Sequence, residues 1–206
     1  MKDIKQWTMF TVLIMHMETK REIRKRILDI RNALSPVLRR KQSDEILAKL
    51  LESDAYVCAH NILCYVDYQS EVFTDRLIET CFATGKTVFV PLVCGENMEF
   101  YHIDSLEELV EGYKGIREPK ANTEKVYDMQ VATGSDLIIM PGAVFDEKRN
   151  RIGYGKGFHD RFLAGGFLGA KVALAFELQI VEGGSFETEE TDVKPDMIIT
   201  EKRIIG

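Results

Sequence analysis

The feature that most constrains this chain is a series of five short apolar runs, at 61–66 (NILCYV), 86–93 (KTVFVPLV), 136–140 (DLIIM), 171–176 (KVALAF) and 197–200 (MIIT). Each has strand length and β-branched enrichment, and each is nearly continuous rather than alternating in polarity. Strands that read this way are buried on both faces, as in parallel sheets covered by helices. The segment between the first two runs agrees. Residues 71–84 carry Val72, Leu77, Ile78 and Phe82 at broadly helical spacing, and Gly85 supplies a C-terminal stop. The expected fold class is therefore α/β, a single domain with a mostly parallel sheet flanked by helices. Residues 98–103 (MEFYHI) alternate as an edge strand does, and 105–110 (SLEELV) reads as a short capped helix.

Two helices are expected ahead of the first run. Ile23, Ile27, Ile30 and Leu34 recur at steps of four, three and four, which predicts an amphipathic helix over about 19–34 with a basic outer face. Ser35 as N-cap and Pro36 as the first helical residue start a second, running to about residue 52. A chain of 206 residues can bury one sizeable core and needs no second domain. Residues 1–17 read as an N-terminal extension, or as an overlong start upstream of Met17, and 18–206 as the α/β domain. The apolar stretch 7–15 follows Lys2 and Lys5 in the manner of a signal peptide. It is shorter than the ~20 residues that span a bilayer, has no small-x-small cleavage site, and runs into the charged 18–22 (ETKRE). No membrane partner is expected.

A net charge of −6 argues against a general nucleic-acid binder, whose surface must be positive, but leaves room for a local basic pocket. Cys58, Cys64, Cys81 and Cys94 form no C-x-x-C pair, and the four histidines show no helical H-x-x-x-H spacing, so nothing suggests zinc. Reduced, mostly buried thiols in a cytoplasmic protein are expected.

Chemistry concentrates after the third run, in 150–162 (NRIGYGKGFHDRF). Ligands of open α/β sheets bind beyond the carboxyl ends of the strands. Here Gly153, Gly155 and Gly157 alternate around Lys156, and a helix carrying Phe158, Phe162 and Leu163 is expected to begin near Gly157. A glycine-rich loop that enters a helix offers free N–H groups and a positive dipole end to phosphate. The spacing is neither the P-loop pattern nor the dinucleotide fingerprint G-x-G-x-x-G. A surface hairpin with a solvated Lys156 is the plainer alternative. The cations Lys148, Arg149, Arg151 and Lys156, with Asp160 one turn into the helix, favour nucleotide phosphates and a metal. Asp160 suits Mg²⁺, a hard ion that prefers oxygen ligands, although an acid in a first turn also stabilises the helix dipole.

Segment 141–146 (PGAVFD) with 150–162 resembles the signature of the 5-formyltetrahydrofolate cyclo-ligase family, the methenyltetrahydrofolate synthetases. The likeness extends, in the family's order, through 20–24 (KREIR), Glu71, 115–119 (GIREP) and 191–196 (TDVKPD). It implies an architecture shared with sugar-phosphate isomerases and CoA transferases. It also implies an enzyme that uses ATP and Mg²⁺ to cyclise 5-formyltetrahydrofolate to 5,10-methenyltetrahydrofolate, releasing ADP and phosphate after phosphorylation of the formyl oxygen. By the same resemblance Lys20 and Arg24 reach ATP, together with Arg151, Gly153, Gly155, Lys156, Gly157, Phe158 and His159. Arg151 and Lys156 are the catalytic cations, Val66, Glu71, Tyr154 and Phe158 meet the folate, and Asp160 and Asp192 are metal-linked.

Taken singly, Lys20 and Arg24 would be a solvated helix face, Glu71 a helix N-terminal acid, Val66 core and Asp192 a turn residue. Their joint order favours the functional reading. Tyr154 stands where the family is often basic, and His159 where it commonly has tyrosine. A non-catalytic nucleotide or folate sensor, or an isomerase or transferase of the same architecture, are the alternatives. The expected partners are ATP and 5-formyltetrahydrofolate, with no nucleic acid, on a monomer or alternatively a homodimer.

Overall fold

The computed structural model describes residues 18–122 and 125–206; the extension expected at 1–17 lies outside them. Helix α1 (Lys20–Asn32) begins at a capping box, in which the Thr19 hydroxyl accepts from the Glu22 N–H and the Glu22 side chain accepts from the Thr19 N–H. Helix α2 (Pro36–Glu52) starts as expected at Ser35, whose hydroxyl accepts from Leu38 N at 3.2 Å. A four-residue helix, α3 (Asp54–Val57), follows it and was not foreseen. Helix α4 (Asp75–Ala83) starts four residues later than its apolar spacing suggested. The reason is a clasp. Asp67 N donates to Thr74 Oγ1 at 3.1 Å and Thr74 N donates to Asp67 Oδ1 at 3.0 Å, which closes 67–74 as a loop and leaves Glu71 outside any helix.

The strands are β1 (Asn61–Cys64), β2 (Thr87–Cys94), β3 (Asn97–Ile103), β4 (Leu109–Glu111), β5 (Arg117–Pro119) and β6 (Asp136–Met140). They continue with β7 (Val144–Asp146), β8 (Arg151–Ile152), β9 (Ala170–Leu174), β10 (Ile180–Val181), β11 (Met197–Ile199) and β12 (Ile204–Ile205); α5 (Phe158–Leu163) lies between β8 and β9. The main sheet has the order β12-β11-β9-β6-β1-β2-β3. Its five inner strands are parallel and the two edge strands antiparallel. All five apolar runs are these inner strands, and β3 is the expected edge. A β10-β7-β8 sheet and a β4-β5 ribbon complete the fold. Residues 105–110 are not one helix: a 3-10 turn capped by Ser105 leads directly into β4.

Alternation along the inner strands explains why they read as continuously apolar. Ile62, Cys64, Leu137, Ile139, Val172 and Leu174 pack with Ile46 and Leu50 of α2 and Leu77 and Ile78 of α4. Leu63, Ile138, Met140 and Ala173 pack on the other side with Phe100, Tyr127, Phe145, Leu163 and Phe167. Both faces are covered, so both sets of side chains must be apolar.

Helix α1 departs from its expected face. Ile23 and Ile27 pack with Ala143, Val144, Ile152 and Phe186 over the small sheet, while Ile30 is 47% exposed. The third buried position is Arg31. The small sheet offers α1 a narrow apolar strip, which selects an i, i+4, i+8 row rather than the broader stripe read from the sequence. All four cysteines are free; Cys64 and Cys81 are buried, but Cys58 and Cys94 are exposed, so only half follow the expectation of burial. Among the described residues no helix is long and apolar enough to cross a membrane.

Backbone comes close at Gly169, where a Cβ would stand 2.2 Å from the Asp136 carbonyl oxygen at the start of the β6–β9 pairing. Gly169→Ala is expected to cost about 1–3 kcal/mol, the range for overpacking a rigid site. An unchanged denaturant midpoint would show that β9 can shift freely.

Candidate active site

Two neighbouring strands of the sheet deliver the site. The 65–74 loop leaves the carboxyl end of β1, and the 141–157 segment leaves that of β6. The latter is more than a loop. Val144 and Phe145 pair with Ile152 and Arg151 in an antiparallel hairpin. Its turn is organised by the buried Asp146 carboxylate, which accepts from Lys148 N at 2.9 Å and from Asn150 N and Nδ2 at 2.7 and 2.6 Å. Lys148 and Arg149 belong to this turn, and Arg149 donates to the Asp196 carbonyl; neither lines the cavities described next. The glycines come after it. Gly155 has φ +89° and a Cβ there would lie 3.5 Å from the Arg24 guanidinium, while Gly157 caps α5 with φ +64°. Both positions therefore favour glycine.

Two cavities meet at this loop. The first, about 740 Å³, is lined by Lys20, Arg24, Gly155, Arg161, Glu189 and Asp192 among others. The second, about 420 Å³, is lined by Val66, Tyr68, Glu71, Tyr113, Tyr154, Lys156, Phe158 and His159 among others. Arg151, Gly153, Gly157 and Asp160 line both. Lys156, Phe158 and His159, expected beside ATP, thus face the cavity that also holds Glu71 and Val66.

The shared wall and the first cavity are highly charged. Arg151 is buried; it donates to Asp160 Oδ1 at 2.5 Å and to the Pro141 carbonyl at 3.3 Å, and its Nε has no partner among the described residues. Asp160 Oδ1 also accepts from Val193 N at 3.1 Å. Lys20 Nζ lies 2.9 Å from Asp192 Oδ2 and 3.3 Å from Glu189 Oε1. Burial opposes charge on both Asp192 and Lys20. It is outweighed on Asp192 by the Glu189 N–H and Lys20, which lower its pKa, and on Lys20 by Asp192 and Glu189, which raise it. Arg24 donates to the Gly153 carbonyl at 3.3 Å.

Among the described residues no three His, Cys, Asp or Glu side chains gather as a metal cage. Asp160 and Asp192 nevertheless line one cavity, and the hydrogen bonds within the described residues occupy only Oδ1 of the first and Oδ2 of the second.

The second cavity is aromatic with a buried acid. Burial raises the Glu71 pKa against the pull of Tyr154, of the Tyr68 N–H donated at 2.9 Å, and of Arg31. Desolvation of the hydroxyl and then Glu71 push the Tyr154 phenol well above its ordinary range, although the residue as a whole is 44% exposed. Phe158 stands edge-to-face with Tyr113 at 6.2 Å. Burial, helped by Arg151, pushes His159 down to about 3, so the ring is neutral, and its Nε2 is buried without a partner among the described residues.

Three contributors escaped the sequence reading. Arg31 sits behind the second cavity, Tyr113 forms part of its wall, and buried Glu118 holds the 113 turn by accepting from Tyr113 N at 2.8 Å and Val93 N at 3.2 Å. Arg31 left a signal, a charge at i+8 in the row begun by Ile23 and Ile27, and Glu118 lies within the family-like segment 115–119, though neither was assigned to the site.

Comparison with known proteins identifies the family. Residues 16–201 match the model of the 5-formyltetrahydrofolate cyclo-ligase family. A probable 5-formyltetrahydrofolate cyclo-ligase of Schizosaccharomyces pombe is 31% identical over 177 residues, 80% of this chain and 86% of that protein. The 5-formyltetrahydrofolate cyclo-ligase of Mus musculus is 31% identical over 193 residues, covering 88% and 93%. The solution structure of Aquifex aeolicus 5,10-methenyltetrahydrofolate synthetase superposes with a TM-score of 0.75 at 28% identity, covering 90% of this chain and 91% of that one. With the family pattern spanning nearly the whole chain and its signature residues gathered around two adjoining cavities, the chain belongs to the 5-formyltetrahydrofolate cyclo-ligase family.

Proposed function

We propose that the chain converts 5-formyltetrahydrofolate to 5,10-methenyltetrahydrofolate, with ATP in the first cavity and the folate in the second. The observation that carries this reading is the common wall: Arg151, Gly153, Gly157 and Asp160 face both spaces, so a phosphoryl group has a short path from donor to acceptor. Proximity of this kind removes much of the entropic barrier to reaction between two bound anions. Lys20, Arg24 and Arg151 supply positive charge for the triphosphate, and the N–H groups around Gly155 and Gly157 supply neutral donors.

The chemistry assigned to the wall has two steps. The formyl oxygen attacks the γ-phosphorus, the bond to ADP breaks, and an iminium phosphate results. N10 then attacks the formyl carbon, loses its proton, and the C–O bond to phosphate breaks as the ring closes. Arg151 lines both cavities beside the transferring group, and Lys156 meets it on the acceptor side as charge redistributes over the phosphoryl oxygens. Glu71 and Tyr154 orient the pterin, with Val66 and Phe158 as its apolar contacts.

Asp160 and Asp192 fit Mg²⁺, which needs only one or two carboxylates when phosphates and waters complete its shell, and which supplies charge neutralisation on the phosphates when bound. The four free thiols agree with a reducing cytoplasm. A sensor would bind both ligands without turnover, and an isomerase or transferase would need no ATP. Incubation with 5-formyltetrahydrofolate while following methenyl absorbance separates them: product is expected only with Mg-ATP, and its absence under all conditions would overturn the assignment.

Lys156→Met should cost roughly 2–4 kcal/mol in the transition state, the scale of one preorganised electrostatic contact. Its melting temperature should match the parent because Lys156 is exposed. Near-parental kcat would remove Lys156 from the chemistry.

Asp192→Ala should raise the KM for Mg-ATP more than that for folate, and Glu71→Gln should do the reverse; equal effects on both substrates would argue for structural roles. Glu71→Gln also has a pH signature. Burial raises the Glu71 pKa in the folded protein, so the contribution of Glu71 to stability is present in full below the unfolded value near 4.5 and declines as pH rises through the folded value. The variant's melting temperature should therefore gain on the parent's as pH rises from 4 to 7, by differential scanning at matched ionic strength. A constant difference would mean that the carboxyl is not desolvated.

A further inference from the structure

Arg31 is 2% exposed, yet no ion pair within 4 Å among the described residues includes it. Its hydrogen-bond acceptors are neutral and the Glu71 carboxylate acts on it only from beyond ion-pair distance, so its burial is costly, and an apolar side chain would complete the Ile23–Ile27 row of α1 with less penalty. What the guanidinium does instead is join three segments. Its Nε donates to Ser70 Oγ at 3.0 Å, in the loop after β1. One terminal nitrogen donates to the Gly142 carbonyl at 3.2 Å, in the turn after β6. Its carbon lies 5.7 Å from the centre of the Tyr154 ring, in the glycine loop. Ser70 Oγ in turn donates to Asn32 Oδ1 at 2.5 Å, so adjacent residues of α1 grip that loop through both functions of one hydroxyl.

Those three segments carry Glu71, Pro141 and Tyr154, all of which line the second cavity, whereas Arg31 does not reach it. We propose that Arg31 is a positioning residue for folate binding, fixing the 68–71 loop, the Gly142 turn and Tyr154 relative to one another so that Glu71 and Tyr154 meet the pterin from set positions. The planar fork matters as much as the charge, since one group must satisfy acceptors on two segments while its carbon lies 5.7 Å from a ring centre. The same helix carries Lys20 and Arg24 at its other end in the first cavity, so a general distortion of α1 would disturb both substrates. Loss of the Arg31 contacts alone should disturb one.

The inference rests on the folate reading of the second cavity, and the test separates the two. Arg31→Lys keeps the charge and loses the fork, Arg31→Met loses both, and Ser70→Ala keeps the arginine but removes its Nε acceptor. For Arg31→Lys the KM for 5-formyltetrahydrofolate should rise about tenfold, the scale of a buried hydrogen bond left unmade, with a larger rise for Arg31→Met and a smaller one for Ser70→Ala. The KM for Mg-ATP should stay near the parental value in all three. Direct titration with 5-formyltetrahydrofolate in the absence of ATP should weaken by the same factors.

Thermal melts identify any variant that fails to fold. If Arg31→Met does, the other two carry the test. Parental folate affinity in both Arg31→Lys and Ser70→Ala, or equal increases in the two KM values, overturns the inference while leaving the reaction assignment intact. A parent protein that makes no methenyl product overturns the assignment itself.

Discussion

The pairing of β1 with β6, Ile62 against Leu137 and Leu63 against Ile138, governs the rest of the molecule because both faces of these strands are buried. A slip of one residue would send each side chain into the opposite core, where the helices on one side and the aromatic layer on the other could not exchange contents. Polar groups at the amino ends of the strands secure the register. Asn61 Nδ2 donates to Asp136 Oδ1 at 2.8 Å, and Asp136 Oδ2 accepts from Tyr127 Oη at 2.7 Å and Thr133 N at 2.9 Å. A buried carboxylate satisfied in this way specifies one alignment, because any other leaves it unpaired. At the carboxyl ends the same register sets two loops side by side, and the second cavity lies between them and the 113–118 segment.

The cations around the two cavities are held by partners far away in the chain. Lys20 reaches Asp192, Arg24 reaches Gly153, and Arg31 reaches Ser70 and Gly142. One thirteen-residue helix thus contributes to both cavities, its first turns to the first and its last turn to the support of the second. The helix is fastened to the hairpin rather than to the main sheet, since Ile23 and Ile27 pack on Val144 and Ile152. The glycine loop that follows β8 is therefore held from one side by α1 and from the other by α5. Its backbone can be close to a ligand without a Cβ in the way, yet it is not free to wander.

Much of this was legible in the chain. Continuous apolar runs predict buried parallel strands because burial on both faces leaves no polar position, and Thr19, Ser35 and Gly157 mark helix starts through local chemistry that needs no distant partner. The glycine–lysine segment announced a site for the same reason. The start of α4 was misplaced because the Asp67–Thr74 clasp competes with helix formation over a distance that periodicity does not see. The hairpin inside 141–157 was hidden by the polar turn that Asp146 organises from within.

By itself, then, the sequence determined the class of fold, the run of its buried strands and the glycine segment that borders both cavities, because strand burial, capping and glycine spacing are written in neighbouring residues. Only the tertiary structure decided that Lys156 and His159 face the cavity of Glu71 rather than that of Lys20, that Asp160 and Asp192 each lie against a cation, and that Arg31 rather than Ile30 turns inward. Each of these depends on which distant segment comes to lie alongside. Direction of a side chain, partner of a charge and depth of burial are properties of the packed neighbourhood, and no local pattern in the chain encodes them.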